Sequence, residues 1–253
     1  MAMPLSIYIL TKNSERRLAE VLDAAIQLAD EILVVDSGST DKTEEILSHY
    51  PVRFLRRDFD NFRDQRVFAE EACTHTWVLA VDSDEVLSTG LIEEIKGLKA
   101  RDFDSAVDGF RLRRDWYFLG KKVRNFYPVK TPEYVVRLFR KDKISTRGSR
   151  IIHESLRGEN CVLRDIDQPL NHFTCDSIDD LYGKIGLYTR LMAEDMHSKE
   201  ERTSWAKIHV FPWLLWVRWF FVYGSWRDGE AGVILSRYLR ITIYLKYLKL
   251  KYL

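Results

Sequence analysis

Residues 76–87 read Thr-Trp-Val-Leu-Ala-Val-Asp-Ser-Asp-Glu-Val-Leu. The apolar run at 77–81, rich in Val, Leu and Trp, has the length of a buried strand. It ends on three carboxylates, Asp82, Asp84 and Glu85, with only Ser83 intervening. Acids at the carboxyl end of a strand sit in the crevice where open α/β sheets bind ligands. Two aspartates one residue apart can both approach a hard divalent cation, which keeps waters and is completed by substrate phosphate oxygens. The plain alternative is that these acids open the next helix, with Ser88 or Thr89 as its cap.

The residues before this stretch supply the rest of a parallel sheet. A β-branched and aromatic strand at 5–10 is followed by Thr11, Lys12 and Asn13. Asn13 or Ser14 can cap a helix whose apolar positions Leu18, Val21, Leu22, Ala25, Ile26 and Ala29 follow the i, i+3, i+4 rule. A second buried strand at 32–35 ends in Asp36-Ser37-Gly38-Ser39-Thr40-Asp41. Asp41 and Glu44 have capping-box-like spacing for another helix. A third strand at 52–55 and a helix at about 61–73 lead into the central one. Strand and helix alternating in this way predict an α/β fold with right-handed crossovers. Ser37-Gly38-Ser39 permits a tight turn with close ligand approach, and Asp36 can accept from ribose hydroxyls or a base N–H. Asp36 can equally serve as a turn-forming residue.

Taken in order, Thr11-Lys12-Asn13, Asp36-Ser37-Gly38-Ser39-Thr40-Asp41 and Asp82-Ser83-Asp84-Glu85 resemble glycosyltransferase family 2 over roughly the first 100 residues. The resemblance implies the GT-A fold: a Rossmann-like, mostly parallel sheet with helices on both faces. It also implies a nucleotide-diphosphate sugar as donor. In that family the acid ending the second strand contacts the uracil or ribose, a role that falls on Asp36. The Asp-x-Asp pair holds a divalent metal, Mg2+ or Mn2+, on the diphosphate, a role that falls on Asp82 and Asp84. Thr11, Asn13, Ser37, Gly38, Arg66 and Ser83 would line the nucleotide-sugar site. Thr-Lys-Asn-Ser-Glu stands here for the commoner Thr-x-Asn-Glu-Glu. Arg63, Gln65 and Arg66 stand where many relatives carry an Arg-Asn pair and glycines.

Beyond residue 98 the pattern becomes hairpin-like. Residues 109–114 alternate apolar and basic, Gly120 marks a turn, and strands are expected at 133–140, 150–156 and 161–166. Arg111, Arg113, Arg114, Lys121, Lys122, Arg124 and Lys130 form a basic concentration. It is either a solvated strand face or a surface for an anionic acceptor. Arg137-Leu138-Phe139-Arg140, His153-Glu154 and Leu170-Asn171-His172, in that order, resemble a subset of family 2. That subset includes bacterial lipopolysaccharide inner-core glucosyltransferases that extend a heptose. The resemblance implies UDP-glucose as donor, a β linkage and Glu154 as the base that deprotonates the acceptor hydroxyl. His153 or His172 would complete the metal shell or bind the departing diphosphate. A polyprenyl phosphate or a protein is the alternative acceptor, and a non-catalytic nucleotide-binding module at a membrane surface is the alternative class.

A helix is expected from Ser177 to about Met196. Five of the seven tryptophans lie between Trp205 and Trp226, in a run interrupted by Pro212 and Arg218. Residues 233–253 carry five basic residues and no acidic one. Tryptophan with arginine points to the headgroup level of a bilayer, so peripheral contact with the inner membrane's cytoplasmic face is expected; the alternative is that these helices cover one face of the sheet with the tryptophans inside. No run reaches the ~18–20 uncharged residues of a spanning helix, and the first residues lack the pattern of a signal peptide. Three cysteines without CxxC spacing fit a reduced, cytoplasmic compartment. A net charge of +1 gives no argument for nucleic acid. The expected organisation is a nucleotide-sugar half at 1–100, an acceptor half with antiparallel strands at 101–176, and C-terminal helices at 177–253.

Overall fold

The apolar runs become the sheet. In the computed structural model, which describes residues 3–148, 161–183 and 185–253, four strands pair in parallel in the order β3-β2-β1-β4. They are β1 (Leu5–Thr11), β2 (Glu31–Asp36), β3 (Arg53–Arg56) and β4 (Trp77–Asp82). Successive side chains enter different cores, as period two requires. Ile7, Ile9, Val34, Leu79 and Val81 join one, against Leu18 and Leu22 of α1 (Leu18–Ala25) and Leu47 of α2 (Thr43–Leu47). Tyr8, Leu33, Val35, Val78 and Ala80 join the other, with Ala69 of α3 (Phe62–Ala72) and Cys73. Asn61 caps α3 by accepting from Asp64 N at 2.9 Å. Neither Asn13 nor Ser14 caps α1, whose N-terminus has no side-chain cap; Asn13 is drawn instead into the loop described below.

The sheet then changes direction, as the hairpin-like pattern implies. It continues from β4 as β10-β6-β11-β5. Here β5 is Glu85–Leu87, β6 Gly109–Phe118, β10 Glu133–Arg140 and β11 Leu163–Cys175. β10 runs antiparallel to β4, with Leu138 opposite Leu79, and β11 runs antiparallel to β5, with His172 opposite Glu85. Between β5 and β6 lies α4 (Thr89–Lys99), where Ser88 accepts from Leu91 N at 3.2 Å. β7 (Lys121–Val123) pairs with the end of β6 across Gly120, and β8 (Asn125–Phe126) pairs with β9 (Val129–Lys130). The expected strand at 150–156, with His153 and Glu154, lies outside the described residues. Mixed sheet, flanking helices and C-terminal helices make the α/β architecture expected of a GT-A protein.

Two compact units divide the chain: Met1–Arg114 with Tyr134–His172, and Asp115–Glu133 with Phe173–Leu253. The second holds α5 (Ile178–Gly183), α6 (Ile185–Ser198), α7 (Trp205–His209), α8 (Phe211–Val217), a π-helical turn at Arg218–Val222 and the long α9 (Gly229–Lys251). A 3-10 turn at Ser225–Asp228 leads into α9. The Asp228 carboxylate accepts from Arg124 N at 2.9 Å. Gly229 has φ +60°. A Cβ on Gly232 would lie 1.8 Å from the Ser225 carbonyl oxygen. Gly232 thus permits close backbone approach at the start of α9, and Gly229 supplies a positive φ.

Replacing Gly232 by Ala should therefore destabilise the second unit at the upper end of overpacking, about 3 kcal/mol. Urea unfolding followed by circular dichroism measures this. A midpoint equal to that of the wild type would show that the backbone yields without cost.

Candidate active site

The parallel register gathers three strand ends. Thr11 lies opposite Asp36 and Leu10 opposite Asp82. Asp36 is fully buried, and its carboxylate accepts from Thr11 Oγ1 (2.8 Å), Gly38 N (2.8 Å), Ser39 N (2.7 Å) and Ser39 Oγ (2.5 Å). A carboxylate has about four lone-pair sites, and all of them are taken within the protein. In this arrangement Asp36 shapes the loop. Gly38, at φ +79°, completes that turn. Lys12 Nζ donates to the carbonyls of Ser37 (3.0 Å) and Gly38 (2.6 Å). Asn13 adopts φ +50°, its N donating to Ser39 Oγ at 2.8 Å and its Oδ1 accepting from Thr40 N at 2.9 Å. Ser14 Oγ donates to Ser83 Oγ at 2.8 Å, and Gln65 Nε2 to Ser37 Oγ at 2.8 Å. Thr11, Asn13, Ser37, Gly38 and Ser83 thus form one hydrogen-bonded rim.

Beside the rim runs a ladder of opposite charges. Arg66 Nη2 donates to Asp82 Oδ1 at 2.6 Å. Arg137 Nη2 donates to Asp82 Oδ2 at 2.5 Å and to Glu85 Oε1 at 2.7 Å. Arg114 Nη1 donates to Glu85 Oε1 at 3.2 Å, and Asp82 N to Glu85 Oε2 at 3.1 Å. Burial alone would raise the Asp82 pKa, yet Arg137 and Arg66 outweigh it and hold the carboxyl far below the usual range. Glu85 is also lowered, with Arg137 and Arg114 overcoming burial and the neighbouring Asp82 charge. Both oxygens of Asp82 serve guanidinium groups.

Asp84 is placed differently. Its side chain is 41% exposed, and its Oδ2 lies 3.3 Å from His172 Nε2. Burial would lower the His172 pKa; the hydrogen bond to Asp84 and the charges of Asp84 and Glu85 raise it. Octahedral cations with bonds of about 2.0–2.1 Å set neighbouring ligands about 3 Å apart. An oxygen and an imidazole nitrogen at 3.3 Å, on the turn after β4 and on β11, fit two adjacent corners of such a shell. Among the described residues no group of three His, Cys, Asp or Glu side chains is arranged to hold a metal ion. A cation here would take its remaining ligands from substrate oxygens and water, as Mg2+ commonly does.

The family model described as glycosyl transferase family 2 matches residues 6–158, which include this rim and Asp82–Glu85. The chain belongs to glycosyl transferase family 2. As a family 2 glycosyltransferase it is 30% identical to the lipopolysaccharide core biosynthesis glycosyltransferase LpsC of Rhizobium meliloti, over 92% of this chain and 86% of LpsC. A glycosyltransferase of Rickettsia typhi is 28% identical over 94% of this chain and 85% of its own length. The mannosyltransferase PcManGT of Pyrobaculum calidifontis, solved with GDP-Man and Mn2+, has the same fold at 13% identity. Its TM-score is 0.54, over 98% of this chain and 88% of that one. Residues 1–349 of S. aureus TarS share the fold at 16% identity, with a TM-score of 0.50 over 99% of this chain and 90% of that one.

Within this glycosyltransferase, Glu85, Arg114 and Arg137 join Asp82 in the ladder, a set of contacts that the motifs do not reveal. Glu85 was legible as the acid following Asp-x-Asp. Arg137 opens the Arg137-Leu138-Phe139-Arg140 motif, but its partners are 52 and 55 positions away.

Arg137→Met should leave Asp82 and Glu85 short of a buried counter-charge, a loss that commonly costs about 3–5 kcal/mol. The two carboxyls have folded-state pKa values below their unfolded ones. Their stabilisation is therefore present above roughly pH 4 and is lost as pH falls below it. Wild-type unfolding free energy should decline from about pH 5 to pH 3, and less steeply in Arg137→Met. Parallel slopes for the two proteins would remove the ladder as the source of acid sensitivity.

Proposed function

We propose that the chain transfers glucose from UDP-glucose to a heptose of the lipopolysaccharide inner core, with inversion at the anomeric carbon. The observation that carries this reading is the Asp84–His172 donor pair beside the arginine ladder, in a chain similar over most of its length to LpsC. A divalent cation, Mg2+ or Mn2+, supplies Lewis-acid compensation of the charge developing on the leaving diphosphate, and Asp84 with His172 would hold it.

The chain's own residues divide the remaining work. Arg66, Arg114 and Arg137 face Asp82 and Glu85, three positive charges against two negative. With Asp84 the carboxylates balance these charges, and the hydrogen bonds fix the ladder before substrate arrives, so little reorganisation is needed when a diphosphate enters with its cation. The rim of Thr11, Asn13, Ser37 and Gly38 shapes the nucleoside end, held rigid by Asp36. The acceptor hydroxyl oxygen attacks the anomeric carbon from the face opposite the diphosphate. The glycosidic C–O bond forms as the C–O bond to the diphosphate breaks, and the diphosphate leaves with the electron pair. The hydroxyl proton passes to Glu154, with His153 beside it in sequence; this role rests on the sequence resemblance. A lipid-anchored acceptor of this kind is met at the cytoplasmic face of the inner membrane.

Incubating heptose-terminated truncated lipopolysaccharide with UDP-glucose and Mn2+ should add one hexose by mass spectrometry. Asp84→Ala and His172→Ala should each slow transfer by roughly 10²–10³ while keeping the wild-type melting temperature. Activity undiminished in excess EDTA would remove the cation from the reading, and transfer only to a polyprenyl phosphate or a protein would replace the acceptor. Separately, Glu154→Gln should lower transfer by roughly 10²–10⁴ while UDP binding, followed by calorimetry, persists. A variant that turns over near the wild-type rate would place the base elsewhere.

A further inference from the structure

The second unit carries a face that is apolar on the outside. Along α7, α8 and the π-helical turn, Ile208, Pro212 and Trp219 point inward and are buried. A helix covering a soluble core ordinarily turns charged or polar residues outward. Here the outward positions hold Trp205 (71% exposed), Trp213 (51%), Leu214 (61%), Phe221 (57%) and Val222 (72%). A helical stretch apolar on both sides calls for a second apolar environment.

Charge names that environment. From Thr203 to Arg227 there is no acidic residue, and from Thr203 to Leu253 eight Lys and Arg face only two acids, Asp228 and Glu230. The Asp228 carboxylate is held by the Arg124 backbone N. Among the described residues none of those eight cations forms an ion pair with a carboxylate, whereas the rest of the chain has many such pairs. Six of them lie over aromatic rings instead, among them Arg240 over Trp213 (4.0 Å to the centroid), Arg218 over Tyr223 (5.2 Å) and Arg227 over Trp226 (5.3 Å). Arginine on an aromatic face keeps its N–H edges available, and phosphate is the anion those edges match. No helix among the described residues is long and apolar enough to cross a membrane. Short helices with Trp, Phe and Leu beside Arg and Lys lie in the plane of the interface.

We propose that the face formed by residues 205–227 seats the second unit on an anionic phospholipid surface. Trp213, Leu214, Phe221 and Val222 enter the headgroup–acyl boundary, and Arg218, Arg227 and Arg240 meet lipid phosphates. The basic C-terminal stretch is not the anchor by itself, because Leu235, Leu239, Ile243 and Leu250 of α9 are buried within the second unit. The inference rests on the acceptor reading only for its purpose, since a lipid-anchored acceptor presents its sugars at such a surface. Its test needs no turnover.

The test is sedimentation of the full chain with vesicles of phosphatidylethanolamine and phosphatidylglycerol, and with phosphatidylcholine vesicles, at low and high salt. The wild type should pellet with the anionic vesicles, with a blue shift of tryptophan fluorescence. Salt should weaken the binding without abolishing it, because insertion of apolar area is not screened. Arg218→Gln with Arg227→Gln should lower the partition coefficient about thirtyfold, from ~1 kcal/mol per cation near an anionic surface. Leu214→Ser with Phe221→Ser and Val222→Ser should remove the salt-resistant part. All these positions are exposed, so both variants should melt with the wild type. The proposal is overturned if the wild type stays in the supernatant at low salt or binds both lipid compositions alike. It is equally overturned if sedimentation velocity shows the face burying itself in a second copy of the chain. Transfer to soluble, delipidated core oligosaccharide keeps the two readings apart: its absence in a vesicle-binding wild type fails the acceptor reading alone.

Discussion

One guanidinium holds the first unit's chemistry in place. Arg137 is 8% exposed and bridges Asp82 at the end of β4 and Glu85 at the start of β5. Burying three charges is expensive unless each finds its opposite and its remaining hydrogen bonds. The ladder meets that condition for the two carboxylates through Arg66, Arg114 and the Asp82 N–H, while among the described residues Arg137 Nε is buried without a hydrogen-bond partner. The turn from Asp82 to Glu85 is thereby clamped at both ends. Asp84, in the middle of that turn, is left with an exposed carboxylate beside His172. The acids on both sides of it, Asp82 and Glu85, are engaged by the ladder.

The loop after β2 follows the same logic with hydrogen bonds in place of charges. Asp36 closes the turn with backbone and hydroxyl donors, Asn13 ties the loop after β1 to it, and Ser14 reaches Ser83. Three loops that a ligand would otherwise have to order are ordered already. Preorganisation of that kind lowers the cost of binding and leaves more interaction for the transition state.

The second unit resolves a different conflict. Backbone must approach backbone at the start of α9, which only the missing Cβ of Gly232 allows. Its aromatic residues face two ways: Trp219 is buried near Leu239 and Ile243, while Trp213 is half-exposed under Arg240. Packing accounts for the inward set. The outward set carries cations stacked on rings, an arrangement that water alone does not reward.

Local pattern determined a good deal about this protein. Continuous apolar runs determined which segments are buried strands, because a strand covered on both faces has no polar side to show. Strand–helix alternation determined the parallel order of β1 to β4, and motifs at strand ends identified the residues of the rim. Tertiary structure decided what those residues do. Asp36 and Asp82 are both acids after apolar strands, yet one is occupied by hydroxyls and amides and the other by arginines, while Asp84 keeps an exposed carboxylate. The difference comes from partners brought in by β10 and β11, which pair antiparallel with strands more than fifty positions earlier. A carboxylate's protonation, ligands and freedom are set by whichever donors lie within about 3 Å of it. Periodicity along the chain reports which side of a sheet a residue faces, whereas the donors opposite it depend on strand pairings that no local window contains.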